Sequence, residues 1–207
     1  MHDVAVDAPI VTEGAAHAEP AEASDDFQIV PRVGLPIVGV VLAATIAGIA
    51  VNEQWPLEFL HVVAGAGWTV VDLFLGFVLG PILGKLSIPA RIEMTKKLMP
   101  KMVLLMPTLV VVTLSAGWQL ANHLGTVDSS YALHGWVVAS FIVVGAMAVI
   151  ALGLLEPANI AVLVELKKRR PNPAVIEKLM KRFIYTAGAT GLMQVATLVI
   201  MTKLASG

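Results

Sequence analysis

The chain contains no cysteine among its 207 residues. Disulfide bonds, thiolate metal ligands and iron–sulfur clusters are therefore excluded. Charge is also scarce, because Asp, Glu, Lys and Arg make up only 14% of the residues, whereas a soluble domain contains about 25%. With 57% hydrophobic residues and a mean hydropathy of +0.81, the composition predicts a membrane protein.

Motifs of common enzymes are missing as well. The sequence has no nucleophile elbow, phosphate-binding loop or zinc-protease motif. The segments between the apolar runs are too short to hold a soluble active site. Nothing in the sequence therefore predicts an independent catalytic activity.

The first thirty residues lack Lys and Arg altogether but contain seven acidic residues. A secretory signal peptide needs a basic segment before its apolar core. We therefore expect residues 1–30 to be a disordered acidic tail in the cytosol, followed by a transmembrane helical bundle over residues 31–207.

Five apolar segments are long enough to cross a bilayer, which takes about 20 residues in a helix. They lie at about residues 33–51, 57–84, 102–122, 131–156 and 183–203. Residues 158–170 can continue the fourth helix as an amphipathic extension. We predict an all-α integral membrane bundle of five transmembrane helices, with the lipid bilayer as its first partner.

Basic residues mark two of the connecting segments. Residues 85–101 carry five Lys or Arg and residues 167–182 carry seven, whereas residues 52–56 and 123–130 carry none. Because short basic loops stay in the cytoplasm, we predict a multi-pass protein of the bacterial inner membrane with its N-terminus inside. The basic residues are expected to contact anionic lipid rather than nucleic acid.

Two stretches of the chain repeat the same order of features. Each begins with Leu-His, runs through an apolar segment to a proline, and continues through basic residues and Lys-Leu-Met into a second apolar segment. The Leu-His pairs are at 60–61 and 133–134, the prolines at 81 and 157, and the triplets at 97–99 and 178–180. We predict one leading helix and two duplicated helical hairpins, at about 57–122 and 131–203, related by a pseudo-twofold axis along the membrane normal.

The repeat predicts that His61 and His134 occupy corresponding positions. Each is expected about one turn inside its helix, at matching depth near the outer face, and His123 ends the third span on the same side. A histidine in a membrane helix is a candidate ligand, because an unpaired buried nitrogen is costly. The alternative is an interfacial histidine that bonds a backbone carbonyl of a neighbouring helix.

Each of the two histidines heads a stripe along one helix face, at about 100° per residue. The first stripe is His61, Gly65, Trp68 and Asp72, and the second stripe is His134, Val138, Phe141 and Gly145. The glycines allow a flat macrocycle to approach. Two neutral imidazoles on facing helices ligate haem iron, so the pattern favours a haem b site formed by His61, His134, Gly65, Trp68, Phe141 and Gly145. Ser115, Trp118 and Asn122 of the third helix are candidates for orienting a ligand histidine.

Asp72 is the most unusual residue of the spans, because it lies near the middle of the second one. A charge there costs at least about 2.5–3.5 kcal/mol. In a structural role, the carboxyl is protonated and bonded to a neighbour such as Thr113 or Gln194. In a functional role, it is a proton relay or a cation-binding group. The sequence leaves both roles open.

Residues 60–68, Leu-His-Val-Val-Ala-Gly-Ala-Gly-Trp, resemble the opening motif of a group of small bacterial membrane proteins. That group includes the copper-resistance-D-type proteins and the membrane part of a cytochrome-linked urate oxidase, and residues 96–120 are similar to its next helix. The resemblance implies a helical bundle linked to copper handling or to haem-based electron transfer. It implicates His61 by the motif, whereas His134 follows only through the repeat.

Three functions therefore remain open. The first is membrane electron transfer by haem b between His61 and His134, with a membrane redox partner. The second is copper handling or transport, with His61, His134 and His123 as metal ligands and a run of methionines favouring Cu(I). The third is a cofactor-free subunit or assembly factor of a larger membrane complex.

Overall fold

The computed structural model of the protein describes residues 28–207. The expected disordered tail over residues 1–30 lies outside the described residues, apart from 28–30. Every regular element of the described part is helical. A 3₁₀ turn at Arg32–Gly34 precedes α1 (Leu35–Val51), α2 (Gln54–Leu73), α3 (Gly80–Lys85), α4 (Ile88–His123), α5 (His134–Ile150), α6 (Glu156–Leu166) and α7 (Pro173–Ser206), and π-helical segments lie at Phe74–Leu79 and Ala151–Leu155.

These elements form five continuous helical spans that are long and apolar enough to cross a membrane. The spans are Arg32–Val51, Gln54–Lys85, Ile88–His123, His134–Leu166 and Pro173–Ser206. Large apolar side chains are exposed along their outer faces, as at Ile46, Val70 and Val149. Such a surface suits lipid rather than water. The prediction of an all-α bundle with five membrane-spanning helices is confirmed.

Two helices begin earlier than the hydropathy of the sequence predicts. The expected basic loops at 85–101 and 167–182 are wrong, because α4 begins at Ile88 and α7 at Pro173. Lys and Arg are good helix formers that carry their charge beyond the apolar zone, so a helix continues where its hydropathy ends. Asn172 caps α7 by accepting the backbone N–H of Ala174 at 3.0 Å.

The packing order of the spans follows the predicted pairing of hairpins. The third span packs against both the second and the fourth, and so does the fifth. The first span lies outside this four-helix arrangement, against the second and third spans. Each hairpin is thus an antiparallel pair whose second helix also contacts the first helix of the other hairpin. This arrangement is compatible with the expected pseudo-twofold axis between the hairpins, which stays a prediction.

Burial repeats along α4 and α7 with the spacing of the Lys-Leu-Met triplets, which is 178 − 97 = 81 residues. Six buried positions of α4 have a buried counterpart 81 residues later on α7. The pairs are Thr95 and Ile176, Met99 and Met180, Met102 and Phe183, Met106 and Ala187, Val110 and Gly191, and Thr113 and Gln194. In this register the two helices therefore bury corresponding faces.

A π-helical segment precedes the proline of each hairpin. Phe74–Leu79 comes directly before Gly80-Pro81, and Ala151–Leu155 comes directly before Glu156-Pro157. Proline has no N–H to donate and its ring collides with the carbonyl four residues earlier, so the helix widens locally. Both hairpins therefore bend at corresponding places.

Candidate functional site

His61 lies about two turns into α2 and packs against α4. Its Nδ1 is 2.9 Å from the carbonyl oxygen of Thr113. Because a carbonyl only accepts, Nδ1 carries the hydrogen, and the neutral ring keeps its lone pair on Nε2. The imidazole occupies the space over Gly117, where an added Cβ would come within 2.5 Å of Nδ1. The hydrogen bond to Thr113 therefore holds the ring in one orientation, and Gly117 of α4 leaves the space that the ring occupies.

His134 has a different position in its helix. It is the first residue of α5 rather than one turn inside, and its backbone N–H donates to the carbonyl of Tyr131 at 2.9 Å. Its Nδ1 is buried and has no hydrogen-bond partner. In the preceding loop, the backbone N–H of Ser130 donates to Asp128 at 2.8 Å, which lowers the pKa of that carboxyl. His134 also lowers this pKa, by a smaller amount.

The two histidines are not at matching depth when the prolines are aligned. His61 precedes its proline by 81 − 61 = 20 residues and His134 precedes its proline by 157 − 134 = 23 residues. Three residues add about 4.5 Å along a helix and turn its face by about 60°. In the register of the prolines, the two histidines are therefore offset by nearly one turn.

This rotation separates the surroundings of the two stripes. In the first stripe, Trp68 and Asp72 are buried. In the second stripe, Phe141 is 36% exposed and an added Cβ on Gly145 would meet nothing within 4 Å. The Phe141 ring packs instead against Trp118 of α4, with centroids 5.4 Å apart. No hydrogen bond, ion pair or ring contact joins the two stripes within residues 28–207.

The third-helix residues expected to orient a histidine bond their own helix instead. Ser115 donates to Val111 at 2.7 Å, and Asn122 donates to the carbonyl of Trp118 at 2.7 Å. The carbonyl of Thr113 does the orienting. Sequence reasoning missed it because a backbone acceptor is present at every residue and gives no residue-type signal. His123 ends α4 and is exposed.

Asp72 lies at the centre of a polar cluster between α2 and α7. Its side chain is 0% exposed, and Oδ2 accepts hydrogen bonds from Thr190 Oγ1 at 2.9 Å and from Gln194 Nε2 at 2.8 Å. Gln194 is thus confirmed as a partner. Thr113 is not one, because its hydroxyl donates to Leu109 at 2.7 Å. Asp72 Oδ1 and the nearby Trp68 Nε1 are buried and have no hydrogen-bond partner.

α7 closely approaches the continuation of α2 one turn beyond this cluster, at Gly76 in the π-helical segment Phe74–Leu79. An added Cβ there would come within 2.5 Å of Gly188 Cα and 2.9 Å of Gly188 N. Helices come this close only where small residues meet. The crossing keeps Thr190 and Gln194 within hydrogen-bond distance of Asp72.

A second group of unpartnered polar atoms lies on α6. Both carboxyl oxygens of Glu156 and the side-chain amide of Asn159 are buried without hydrogen-bond partners. Within residues 28–207, no three His, Asp or Glu side chains lie close enough together to hold a metal ion.

No family model, no curated protein and no solved structure matches this chain. A helical bundle alone is compatible with many activities, so the site itself must indicate the function.

Proposed function

We propose that the protein is a membrane electron carrier that binds haem b, with His61 as an axial ligand. The observation that carries this proposal is the orientation of the His61 ring. A hydrogen bond from one ring nitrogen to a backbone carbonyl is the usual support of a metal-ligating histidine, because it fixes the tautomer and raises the basicity of the other nitrogen. In His61 the supported nitrogen is Nδ1, and Nε2 is left for iron.

The donor set of the chain fits haem iron, which takes neutral imidazole nitrogens as axial ligands. The hydrogen bond to Thr113 orients the His61 ring for binding iron through Nε2, and Gly65, one turn further along α2, has no side chain beside it. His134 would supply the second imidazole, because its buried Nδ1 has no partner in the protein. Haem would supply reversible one-electron chemistry there. These residues would bind and orient it, and the surrounding apolar helices would exclude water from it.

The first test is the absorption spectrum of the purified protein before and after dithionite. The expected result is a Soret band with sharp α and β bands on reduction, which indicate low-spin haem. The variant His61→Ala should lose these bands, and external imidazole should restore part of them. The matched control is His123→Ala, since His123 is exposed at the end of α4.

The outcomes separate the three functions. An unchanged spectrum in His61→Ala shows that His61 is not a ligand. Folded, colourless protein that contains copper and loses it in His61→Ala favours copper handling. Folded protein that contains neither haem nor copper, from cells supplied with both, favours a cofactor-free subunit of a larger complex.

The proposed orientation places the N-terminus and the basic ends of α4 and α7 in the cytoplasm of a bacterial inner membrane, following the charge rule. Because the chain contains no cysteine, single introduced cysteines can test this orientation directly. Ser129→Cys lies in the loop before α5, and Ser87→Cys lies in the loop before α4. In intact cells, an impermeant maleimide should label the first variant and should label the second only after permeabilisation. The reverse result gives the opposite orientation.

A further inference from the structure

The buried carboxyl of Asp72 has one bonded and one unbonded oxygen. Oδ2 is held by two donors of α7, Thr190 and Gln194. Oδ1 is buried and has no partner. Since buried polar atoms are normally paired, the unbonded oxygen indicates a small polar guest that the protein chain does not supply.

A second unpartnered group lies on the same helix face, four residues earlier. The indole N–H of Trp68 is buried and faces the Asp72 carboxyl, but it has no acceptor in hydrogen-bond geometry. The Trp68 N–H therefore lacks an acceptor, and Asp72 Oδ1 lacks a donor. A water molecule can accept from Trp68 and donate to Asp72 at the same time, which satisfies both groups.

The hydroxyl of Thr190 can accommodate a change of charge on Asp72. Its oxygen lies 2.9 Å from Asp72 Oδ2, 3.1 Å from the carbonyl of Thr186 and 3.0 Å from the carbonyl of Ala187. A hydroxyl has one hydrogen, so it donates to only one of these at a time. Rotation of this single bond turns the hydrogen toward an ionised carboxylate or back to its own helix.

No titratable side chain faces Asp72 from the helices packed against α2. None lies on α1, none on α4 between Lys101 and His123, and none on α7 between Tyr185 and Lys203. No ion pair of the described residues includes Asp72. An ionised carboxylate would therefore be buried without a counter-charge, so the group needs a proton or another cation.

The cation that an ionised Asp72 needs is a proton rather than a metal ion. A hard cation takes six or more oxygen ligands, whereas Asp72 Oδ1 is the one unpartnered oxygen of this cluster, and the Trp68 side chain beside it offers an N–H donor. The repeat also shows that the fold does not require an acid here. The residue corresponding to Asp72 is Ala148 in the proline register and Gly145 in the Leu-His register.

We propose that Asp72, Thr190, Gln194 and Trp68 form a proton-exchange site inside the membrane. On uptake, a hydronium ion transfers its proton to Asp72 Oδ1: an O–H bond forms on the carboxyl, one in hydronium breaks, and water remains beside Trp68. Release is the reverse, with water as the acceptor. Gln194 holds Oδ2 in both states, whereas the Thr190 hydroxyl donates either to Oδ2 or to its own helix. The site does not depend on haem.

The test is infrared spectroscopy of the purified protein transferred from H₂O to D₂O. A protonated carboxyl has a C=O stretch apart from the amide and carboxylate bands, and deuteration lowers its frequency. The expected result is a carboxyl band that shifts while most of the helical amide II band persists. A carboxyl that shifts only together with the helix amides is a sealed structural acid, and this result overturns the proposal.

Variants assign the band to Asp72. Asp72→Asn should abolish it, whereas Glu156→Gln should keep it and thereby exclude the second embedded carboxyl. Thr190→Val keeps the acid and should change the frequency of the carboxyl band, since it removes one donor from Oδ2. This variant tests the assignment even if Asp72→Asn does not fold. A wild-type protein without the band, or a band that Na⁺ removes at constant pH, refutes proton binding at this site.

Discussion

Replacing Gly76 with alanine should force α7 and the continuation of α2 apart at this close crossing. The added Cβ would lie 2.5 Å from Gly188 Cα, whereas ordinary contact lies at 3.4–4 Å. The helices must therefore separate by about 1 Å at this point, because backbone atoms cannot turn aside as a side chain does. The reciprocal change, Gly188→Ala, places its Cβ 3.6 Å from Gly76 Cα, which is an ordinary contact.

The pair of variants isolates the cost of packing. Each substitution adds one methyl group and improves the helical preference by up to about 1 kcal/mol, so this contribution largely cancels between them. Overpacking costs about 1–3 kcal/mol and applies to Gly76→Ala alone. We expect Gly76→Ala to be less stable than Gly188→Ala by about 1–3 kcal/mol. For a chain of this length that corresponds to a difference of about 2–12 °C in Tm.

The measurement is thermal unfolding of both variants by circular dichroism in the same detergent. Gly39→Ala is the control for helical preference in an open position, because its Cβ would meet nothing within 4 Å. The separation of the helices should also shift the carboxyl band of Asp72 in Gly76→Ala only. Equal Tm values for Gly76→Ala and Gly188→Ala would show that α2 and α7 do not cross as closely as described.

Three further predictions concern the polar contacts. Gly117→Ala should displace the His61 ring and lower haem content severalfold, whereas Gly39→Ala, whose Cβ would meet nothing within 4 Å, should not, as the reduced spectrum will show. Thr190→Val should lower the free energy of unfolding by about 1–3 kcal/mol, because a buried acceptor loses a donor, while Thr190→Ser should keep most of it; chemical unfolding of both compares them. The lowered pKa of Asp128 means that its bond to Ser130 stabilises the loop above the ordinary Asp pKa of 3.8 and is lost as pH falls through the lower folded value. The protection factor of the Ser130 amide, which compares its exchange rate with the intrinsic rate at the same pH, should therefore fall on acidification in the wild type but not in Asp128→Asn.

The number of membrane-spanning helices could be predicted from the sequence, because lipid-facing helices need long apolar runs and five such runs are present. The sequence was not sufficient for the ends of the helices, since hydropathy falls at Lys96 or Arg182 although the helix there is intact. The Lys-Leu-Met repeat predicted the packing of α4 and α7 well, because a repeated triplet fixes the register of both helices directly.

The partner of Asp72 was predictable only in part. Gln194 was a candidate because an amide in a membrane helix needs a partner, and the structure confirms it. Thr190 was missed, since threonine in a helix usually satisfies itself by bonding its own backbone, as Thr113 does here. Whether the hydroxyl of Thr190 faces a carboxyl depends on the rotation of α7 about its axis, which Gly76 and Gly188 set.

The same geometry explains why the pattern of paired histidines overestimated the symmetry of the protein. A repeat keeps corresponding residues equivalent only where the spacing between them is conserved. It is conserved along α4 and α7, but the first helices differ by three residues between histidine and proline. That difference rotates one stripe outward and leaves the other buried with Asp72. Thr190 and Gln194 therefore hold an acid in the half whose stripe is buried, whereas the other half has Ala148 or Gly145 at the corresponding position.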